Sequence, residues 1–189
     1  RWINKTLQGK GDSDGHLLTL FTLALASKAK AMVELGVRDG TSTLPLLAAA
    51  ALTNGHLYSV DKEPVNFDIP DKLKTYWSFD QNNSLSFLKT WPTEKIIDLV
   101  YLDDWHAYEH VKAELKLIDP LVSPSSLILI HDTMYGNTQP FYHTDLTLKN
   151  GQWAEGGPYR AVAEMDMNFW EWSTLPWNNG LTILRKKYS

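Results

Sequence analysis

The chain has 189 residues, a formal net charge of -4 and no cysteine. That length fits one domain with one substantial core. The acidic balance excludes the basic face expected of a nucleic-acid binder, and the missing cysteine excludes a disulfide framework, a thiolate metal site and a cysteine nucleophile.

Taken in chain order, residues 15–30 predict a helix, with Asp12, Ser13 or Asp14 as its N-cap. Its apolar run Leu17–Ala26 is interrupted by Thr19 and Thr22, is too short for a membrane span, and lacks the flanks of a secretory signal. A cytoplasmic protein with neither a membrane nor nucleic acid as partner is expected. Residues 31–35, a short apolar run stopped by Gly36, predict a buried strand. Alanine and leucine dominate 43–52, a helix closed by Asn54-Gly55, and 56–60 is the next strand. A short helix over 67–75 around Pro70, a strand over 75–79 and a helix over 84–91 stopped by Pro92 follow. Then come a strand over 97–102, a helix over 107–118 and a strand over 127–130. The tail changes character. A helix over 158–167 leads to strands over 169–175 and 181–185, joined by Pro176-Trp177-Asn178-Asn179-Gly180, and an Asn-Gly turn favours an antiparallel hairpin.

This alternation predicts an α/β fold: Rossmann-like, doubly wound, with a mostly parallel seven-stranded sheet that ends in a C-terminal antiparallel hairpin. The chain 1–189 reads as a single domain with a helical cover over 1–30. Residues 134–158 form an aromatic-rich insertion, long for a connection and suited to an acceptor lid. Tyr135, Phe141, Tyr142, His143 and Trp153 lie within it. Those aromatics suit stacking on a sugar or planar ring, and equally suit packing on the sheet or on a second copy in a homo-oligomer.

Open parallel sheets bind ligands beyond the carboxyl ends of their strands, so the loops there carry the chemistry. In the first, Glu34-Leu35-Gly36-Val37-Arg38-Asp39-Gly40-Thr41-Ser42, two glycines permit a tight turn and close backbone approach to a ligand. Arg38 stands where the dinucleotide fingerprint needs another glycine. The same loop also reads as a plain glycine-capped turn. Glu34 suits a cationic amine or an ordered water. Asp61 ends the next strand about 20 residues on, where an acid accepts ribose hydroxyls, although a solvated loop charge reads the same. Asn82-Asn83-Ser84 is either a ligand turn or a helix cap.

Asp103 and Asp132 end two strands expected to be neighbours, so their carboxylates converge on one rim and suit a hard cation such as Mg²⁺. His131 would add a nitrogen ligand and favour Mn²⁺ or Fe²⁺, or it is a core histidine. His106, three residues after Asp103, suits a general base because imidazole titrates near neutrality. The competing reading has Asp103 or Asp104 capping the helix at 107–118, with His106 in its first turn. His110 is expected to face solvent, and His16, His56 and His143 carry no motif.

Glu34–Ser42, Asp61 and the hairpin tail resemble a class I S-adenosylmethionine-dependent methyltransferase. Leu102-Asp103-Asp104-Trp105-His106-Ala107-Tyr108-Glu109, followed by Ile130-His131-Asp132-Thr133, resembles the metal-dependent small-molecule O-methyltransferases. Among these are the macrocin-type sugar methyltransferases, the cephalosporin-hydroxylase-like group and, more distantly, the catechol type. The resemblance spans roughly residues 30–185. It implies cofactor contacts from Glu34, Gly36, Gly40, Ser42, Asp61, Asn83, Ser84 and Asp103, with Asn82 where glycine is common. It implies metal ligation by Asp103 and Asp132. His131 and Thr133 stand where the relatives place a carboxylate before the second aspartate or an asparagine after it. His106 and Asp103 are the implied catalytic pair. The implied reaction is methyl transfer from S-adenosylmethionine to a hydroxyl of a small acceptor, a sugar or natural product, helped by Mg²⁺, Mn²⁺ or Fe²⁺. Another enzyme on this fold (an NAD-dependent oxidoreductase or a metal-dependent hydroxylase) and a non-catalytic cofactor-binding module remain alternatives. The missing glycine argues against NAD, and the paired aspartates argue against a pure binder.

Overall fold

The computed structural model describes residues 2–11, 13–135, 139–140 and 156–188. Most of the insertion expected over 134–158, and the candidate cap Asp12, lie outside the described residues. Strand β1 (Ala31–Leu35) is buried along its whole length and is paired in parallel on both edges. That is the environment a run apolar but for Glu34 demands. Its neighbours are β2 (His56–Asp61) and β4 (Leu99–Leu102), with β3 (Trp77–Gln81) outside β2 and β5 (Leu127–His131) outside β4. Strands β8 (Trp170–Leu175) and β9 (Leu181–Lys186) complete a seven-stranded sheet of order β3-β2-β1-β4-β5-β9-β8, in which β9 runs antiparallel to β5 and β8. A two-residue ladder joins β6 (Met134–Tyr135) to β7 (Gln139–Pro140).

Helices cover both faces. α2 (Leu17–Ala26) and α3 (Thr43–Thr53) bury Leu17, Leu20, Ala24, Leu46 and Leu47 against Met32, Leu57 and Tyr101. α5 (Ser84–Thr90), α6 (Tyr108–Ile118) and α7 (Gly157–Ala163) bury Leu88, Val111, Leu115 and Val162 against Val33, Val100 and Ile128. α1 (Trp2–Gln8) buries none of its residues and leans on α2 through Trp2, whose ring lies 5.2 Å from Phe21. α4 (Asp71–Lys74) is a single turn. Among the described residues no helix is long and apolar enough to cross a membrane.

Several boundaries differ from the sequence expectation. The helix expected over 15–30 divides into a 3₁₀ turn at Asp14–His16 and α2, and it ends early because Lys28 takes a left-handed φ of 55°. Neither Ser13 nor Asp14 caps it; the Asp14 carboxylate accepts the Gly11 amide at 2.8 Å. The helix expected over 67–75 shrinks to α4, since the residue before a proline is held extended and Pro70 becomes the N-cap. The third strand shifts to 77–81 because β2 dictates its register, from Leu57 beside Trp77 to Asp61 beside Gln81. α7 ends at Ala163, short of the expected 167.

Candidate functional site

The sheet reverses its strand order between β1 and β4, which opens a crevice at their carboxyl ends. Leu35 pairs with Leu102, so Gly36 and Asp103 leave the sheet side by side. Gly36 has φ +90°, and a Cβ there would lie 2.3 Å from the Asp103 carbonyl oxygen. Backbone therefore touches backbone at this point, and glycine is the residue that allows it. Asp61 holds the outgoing loop: its carboxylate accepts the amides of Val37 at 2.8 Å, Arg38 at 3.1 Å and Glu63 at 2.9 Å. A carboxylate has about four acceptor positions, so roughly one remains for a ligand rather than the two that a pair of ribose hydroxyls would use. Gly40, at φ +72°, packs against the Phe67 ring.

Glu34 sits elsewhere than the sequence expectation put it. It is fully buried under the loop, and its carboxylate accepts hydrogen bonds from Ser42 at 2.7 Å, Thr43 at 2.9 Å and Ser59 at 2.6 Å. Burial raises its pKa to about 7 against the pull of those hydroxyls. Glu34, with Ser42 beside it, ties β1, β2 and α3 together beneath the loop.

Two clefts of about 450 Å³ each meet at Gly36, Arg38 and Asp103. Asp61, Asn83, Ser84, Asp104, Trp105 and His110 line the first. The second runs between the glycine loop and the N-terminal segment, lined by Lys5, Lys10 and Asp14 among others. Lys5 closes its outer side by donating to the Thr41 hydroxyl at 2.8 Å. Asn83 is the N-cap of α5, its side-chain oxygen accepting the amides of Leu85 at 3.0 Å and Ser86 at 3.3 Å. Asn83 thus lines the cleft while its oxygen is spent on the helix.

Behind the junction, around Asp103, the structure gathers His106, His131 and Asp132. β4 and β5 are parallel neighbours with Leu102 beside Ile130, so their exits face each other. His106 Nε2 lies 3.3 Å from both Asp103 Oδ1 and Asp132 Oδ2. His131 Nδ1 lies 3.2 Å from Asp103 Oδ1 and 3.5 Å from Asp132 Oδ1, and the Tyr101 hydroxyl donates to Asp103 Oδ2 at 2.9 Å. Neither Asp103 nor Asp104 caps α6; Ala107 holds the cap position without a side-chain bond. Burial alone would raise the Asp103 pKa, but the imidazoles of His131 and His106 outweigh it and hold the carboxylate far below its usual range. Burial works against charge on both histidines, yet the carboxylates win and raise both pKa values.

Asp132 takes a left-handed φ of 56° and is buried, and among the described residues its Oδ1 has only the long His131 contact at 3.5 Å. A buried carboxylate in an uncommon backbone conformation, with one oxygen so loosely paired, is a mark of a site rather than of the core. The donor set fits a divalent cation: one ligand atom each from Asp103, His131 and Asp132 lies within 4.8 Å of the others. His131 Nε2 sits 3.0 Å from the Asn178 carbonyl, so a proton there leaves Nδ1 to ligate, the usual arrangement for a metal-bound imidazole. Thr133 takes no part in that donor set; its hydroxyl accepts from Thr182 on β9 at 2.9 Å.

Several residues here went unassigned in the sequence reading. His110, expected in solvent, turns back from the first turn of α6 onto Asp104 at 3.1 Å and Glu114 at 3.3 Å. Its i,i+4 spacing to Glu114 was the available signal, but nothing in the sequence marks Glu114 as buried. Burial, with the neighbouring Asp104 charge, pushes Glu114 up to about 8. For His110, burial opposes charge, but the two carboxylates outweigh it and raise its pKa to about 10. Trp105, partly exposed, lines the cleft with the Lys62 ammonium 5.6 Å from its ring. His16 is fully buried, donates Nε2–H to the Trp177 carbonyl at 2.8 Å and stands edge-on to His131.

The family model described as a methyltransferase domain matches residues 33–133. Solved structures share the fold. The SAH-bound methyltransferase PaMTH1 of Podospora anserina aligns at TM-score 0.66 and 17% identity, over 92% of this chain and 78% of its own. The O-methyltransferase TomG of Streptomyces achromogenes, in complex with SAM, aligns at TM-score 0.65 and 15% identity, over 93% and 81%. No curated protein sequence matches significantly.

Proposed function

Because the chain belongs to the methyltransferase-domain family, we propose that it moves the methyl group of S-adenosylmethionine to a hydroxyl oxygen of a small molecule, a sugar or natural product. The observation that carries the choice of oxygen is the Asp103–His106–His131–Asp132 cluster, which reaches the meeting point of the two clefts through Asp103. A hydroxyl is a weak nucleophile near neutral pH, and a cluster of base and carboxylates answers that need. TomG, whose acceptor chemistry is also O-methylation, supports the same direction.

In this reading the cofactor lies in the first cleft, on the Gly36 turn and against Asp61, Ser84 and Trp105. The acceptor approaches from the second, so that its oxygen and the sulfonium methyl meet beside Asp103. As the oxygen–carbon bond forms, the carbon–sulfur bond breaks and its electron pair stays on sulfur, leaving S-adenosylhomocysteine. The hydroxyl proton passes to the Asp103–His106–Asp132 group, in which His106 Nε2 lies 3.3 Å from both carboxylates. Asp103, His131 and Asp132 would hold a divalent cation, Mg²⁺, Mn²⁺ or Fe²⁺, which would lower the hydroxyl pKa as a Lewis acid. Tyr101 keeps Asp103 in place from within the core, and Asn178 orients His131.

The test has two stages. S-adenosylhomocysteine is expected to raise the melting temperature and NAD to leave it unchanged; the reverse would end this reading. Methyl transfer from labelled cofactor to a panel of hydroxylated acceptors should then fall about 10²–10⁴-fold in His106→Gln. Asp132→Asn should lose turnover while S-adenosylhomocysteine still binds. Full activity of Asp103→Asn and Asp132→Asn in chelator would remove the metal from the mechanism.

A further inference from the structure

A second group of ligand-type side chains lies on the other side of the Asp103–Asp104 peptide, at the base of the first cleft. Asp104, His110 and Glu114 each offer one donor atom, and the three atoms lie within 4.8 Å of one another. Around His110 Nε2 stand Asp104 Oδ2 at 3.1 Å, Ser84 Oγ at 3.2 Å and Glu114 Oε1 at 3.3 Å. One ring nitrogen has one proton to give, so it satisfies at most one of these oxygens well. Glu114 is fully buried; its Oε1 has only the His110 contact at 3.3 Å, and its Oε2 has no hydrogen-bond partner among the described residues.

The spacing has a simpler account. Bonds of about 2.0–2.2 Å to a central ion place adjacent ligands about 3.0–3.4 Å apart, and the three distances from His110 Nε2 fall in that range. Once its ligands have given up their protons, the cluster would offer two carboxylates and a neutral imidazole, which balance a divalent cation. We propose that Asp104, His110 and Glu114, with the Ser84 hydroxyl beside them, form a second divalent-cation site, separate from the Asp103–His131–Asp132 group. The ion would tie the exit of β4 to α6 and to the start of α5, and so fix the base of the first cleft. One nitrogen among oxygens, without sulfur, suits Mn²⁺ or Zn²⁺ better than Mg²⁺, which keeps to oxygen ligands and its own waters. Asp104 and His110 line the open cleft, which gives the ion a way in.

The site is tested with Mn²⁺ alone, by calorimetry and by the electron paramagnetic resonance of unbound Mn²⁺. Asp103→Asn/Asp132→Asn disables the first group, and that double variant is expected to bind about one Mn²⁺ per chain. Adding Glu114→Gln should weaken that binding by at least about 100-fold. If Glu114→Gln disturbs folding, as judged by melting temperature, Asp104→Asn on the same background carries the test and should give the same loss. A double variant that binds no Mn²⁺ overturns the proposal. So does Mn²⁺ binding that persists unchanged through both Glu114→Gln and Asp104→Asn, because the cluster would then be a histidine held between a charged and a protonated carboxyl. Failure of the Asp103–His131–Asp132 metal reading is seen separately: the wild type would bind one Mn²⁺ and Glu114→Gln alone would abolish it.

Discussion

Adding one methyl group at Gly36 probes the contact on which the site is built. The new Cβ would stand 2.3, 2.5 and 2.7 Å from the Asp103 carbonyl oxygen, the Asp103 carbonyl carbon and the Asp104 amide nitrogen. All three are backbone atoms of a buried strand exit and cannot rotate away. The φ of +90° adds a conformational cost for any residue with a Cβ. About 1–2 kcal/mol for the left-handed backbone and about 1–3 kcal/mol for overpacking give Gly36→Ala a stability loss of about 2–5 kcal/mol. For a domain of this size each kcal/mol lowers the melting temperature by about 2–4 °C, so a loss near 3 kcal/mol lowers it by roughly 6–12 °C. The displaced peptide carries Asp103 and Asp104 with it, so affinity for S-adenosylhomocysteine should fall by at least about tenfold. Urea denaturation gives the first number and calorimetric titration the second. Gly40→Ala is the internal comparison. Its Cβ would meet the Phe67 ring at 2.5 Å, a partly exposed side chain that can turn aside, so stability should fall less and cofactor affinity should barely change. A Gly36→Ala protein with wild-type melting and wild-type affinity would show that the two strand exits do not bear on each other as described.

Other predictions concern proton linkage and capping. The fold keeps Glu34 protonated up to about pH 7 rather than its usual 4.5, so between those values the folded chain binds more protons than the unfolded one. Its contribution to stability therefore falls as pH rises through that window, by roughly 3 kcal/mol, and is level above it. His16, which burial holds neutral down to about pH 4, gives the opposite slope, a gain as pH rises from about 4 to 6.5. The readout is accordingly the wild-type minus Glu34→Gln difference in urea stability from pH 4.5 to 8, and a difference that does not change with pH would refute the assignment. Asn83→Ala removes the α5 cap and should cost about 1 kcal/mol, which is about 2–4 °C in melting temperature. An unchanged melting temperature would mean that the cap carries no weight.

Much of the architecture was legible because its causes are local. Leu99–Leu102 is apolar without interruption, and Ala31–Leu35 is apolar but for Glu34, the pattern of strands buried on both faces. Asn178-Asn179-Gly180 supplies three left-handed residues in succession, and the chain reverses there as the Asn-Gly pair foretold. Where pairing or loop geometry set the limits, local signals fell short. β3 moved by two residues to match β2, and the first long helix broke where the chain had to turn back toward the sheet at Lys28.

The site divides along the same line. Asp103 and Asp132 could be paired from the sequence alone, because strand alternation places both at carboxyl ends of one parallel sheet. His106 and His131 followed as their near neighbours along the chain. What each carboxylate does was decided only when distant segments met. Glu34 looked like a ligand contact by position, but Ser42, Thr43 and Ser59 close over it from two other elements and leave it no surface. Asp61 accepts two amides from the loop that it was expected to face across a ligand, and a third from Glu63. His110 and Glu114 looked like ordinary helix polarity until α6 packed against the exit of β4. The chain by itself determines the order of its elements and which residues end its strands, since hydrophobic pattern and turn chemistry act over a few residues. Burial, and with it the charge a carboxylate or imidazole carries, depends on what arrives from elsewhere in the chain. Only the tertiary structure could therefore separate the acids that face the clefts from those that hold the clefts together.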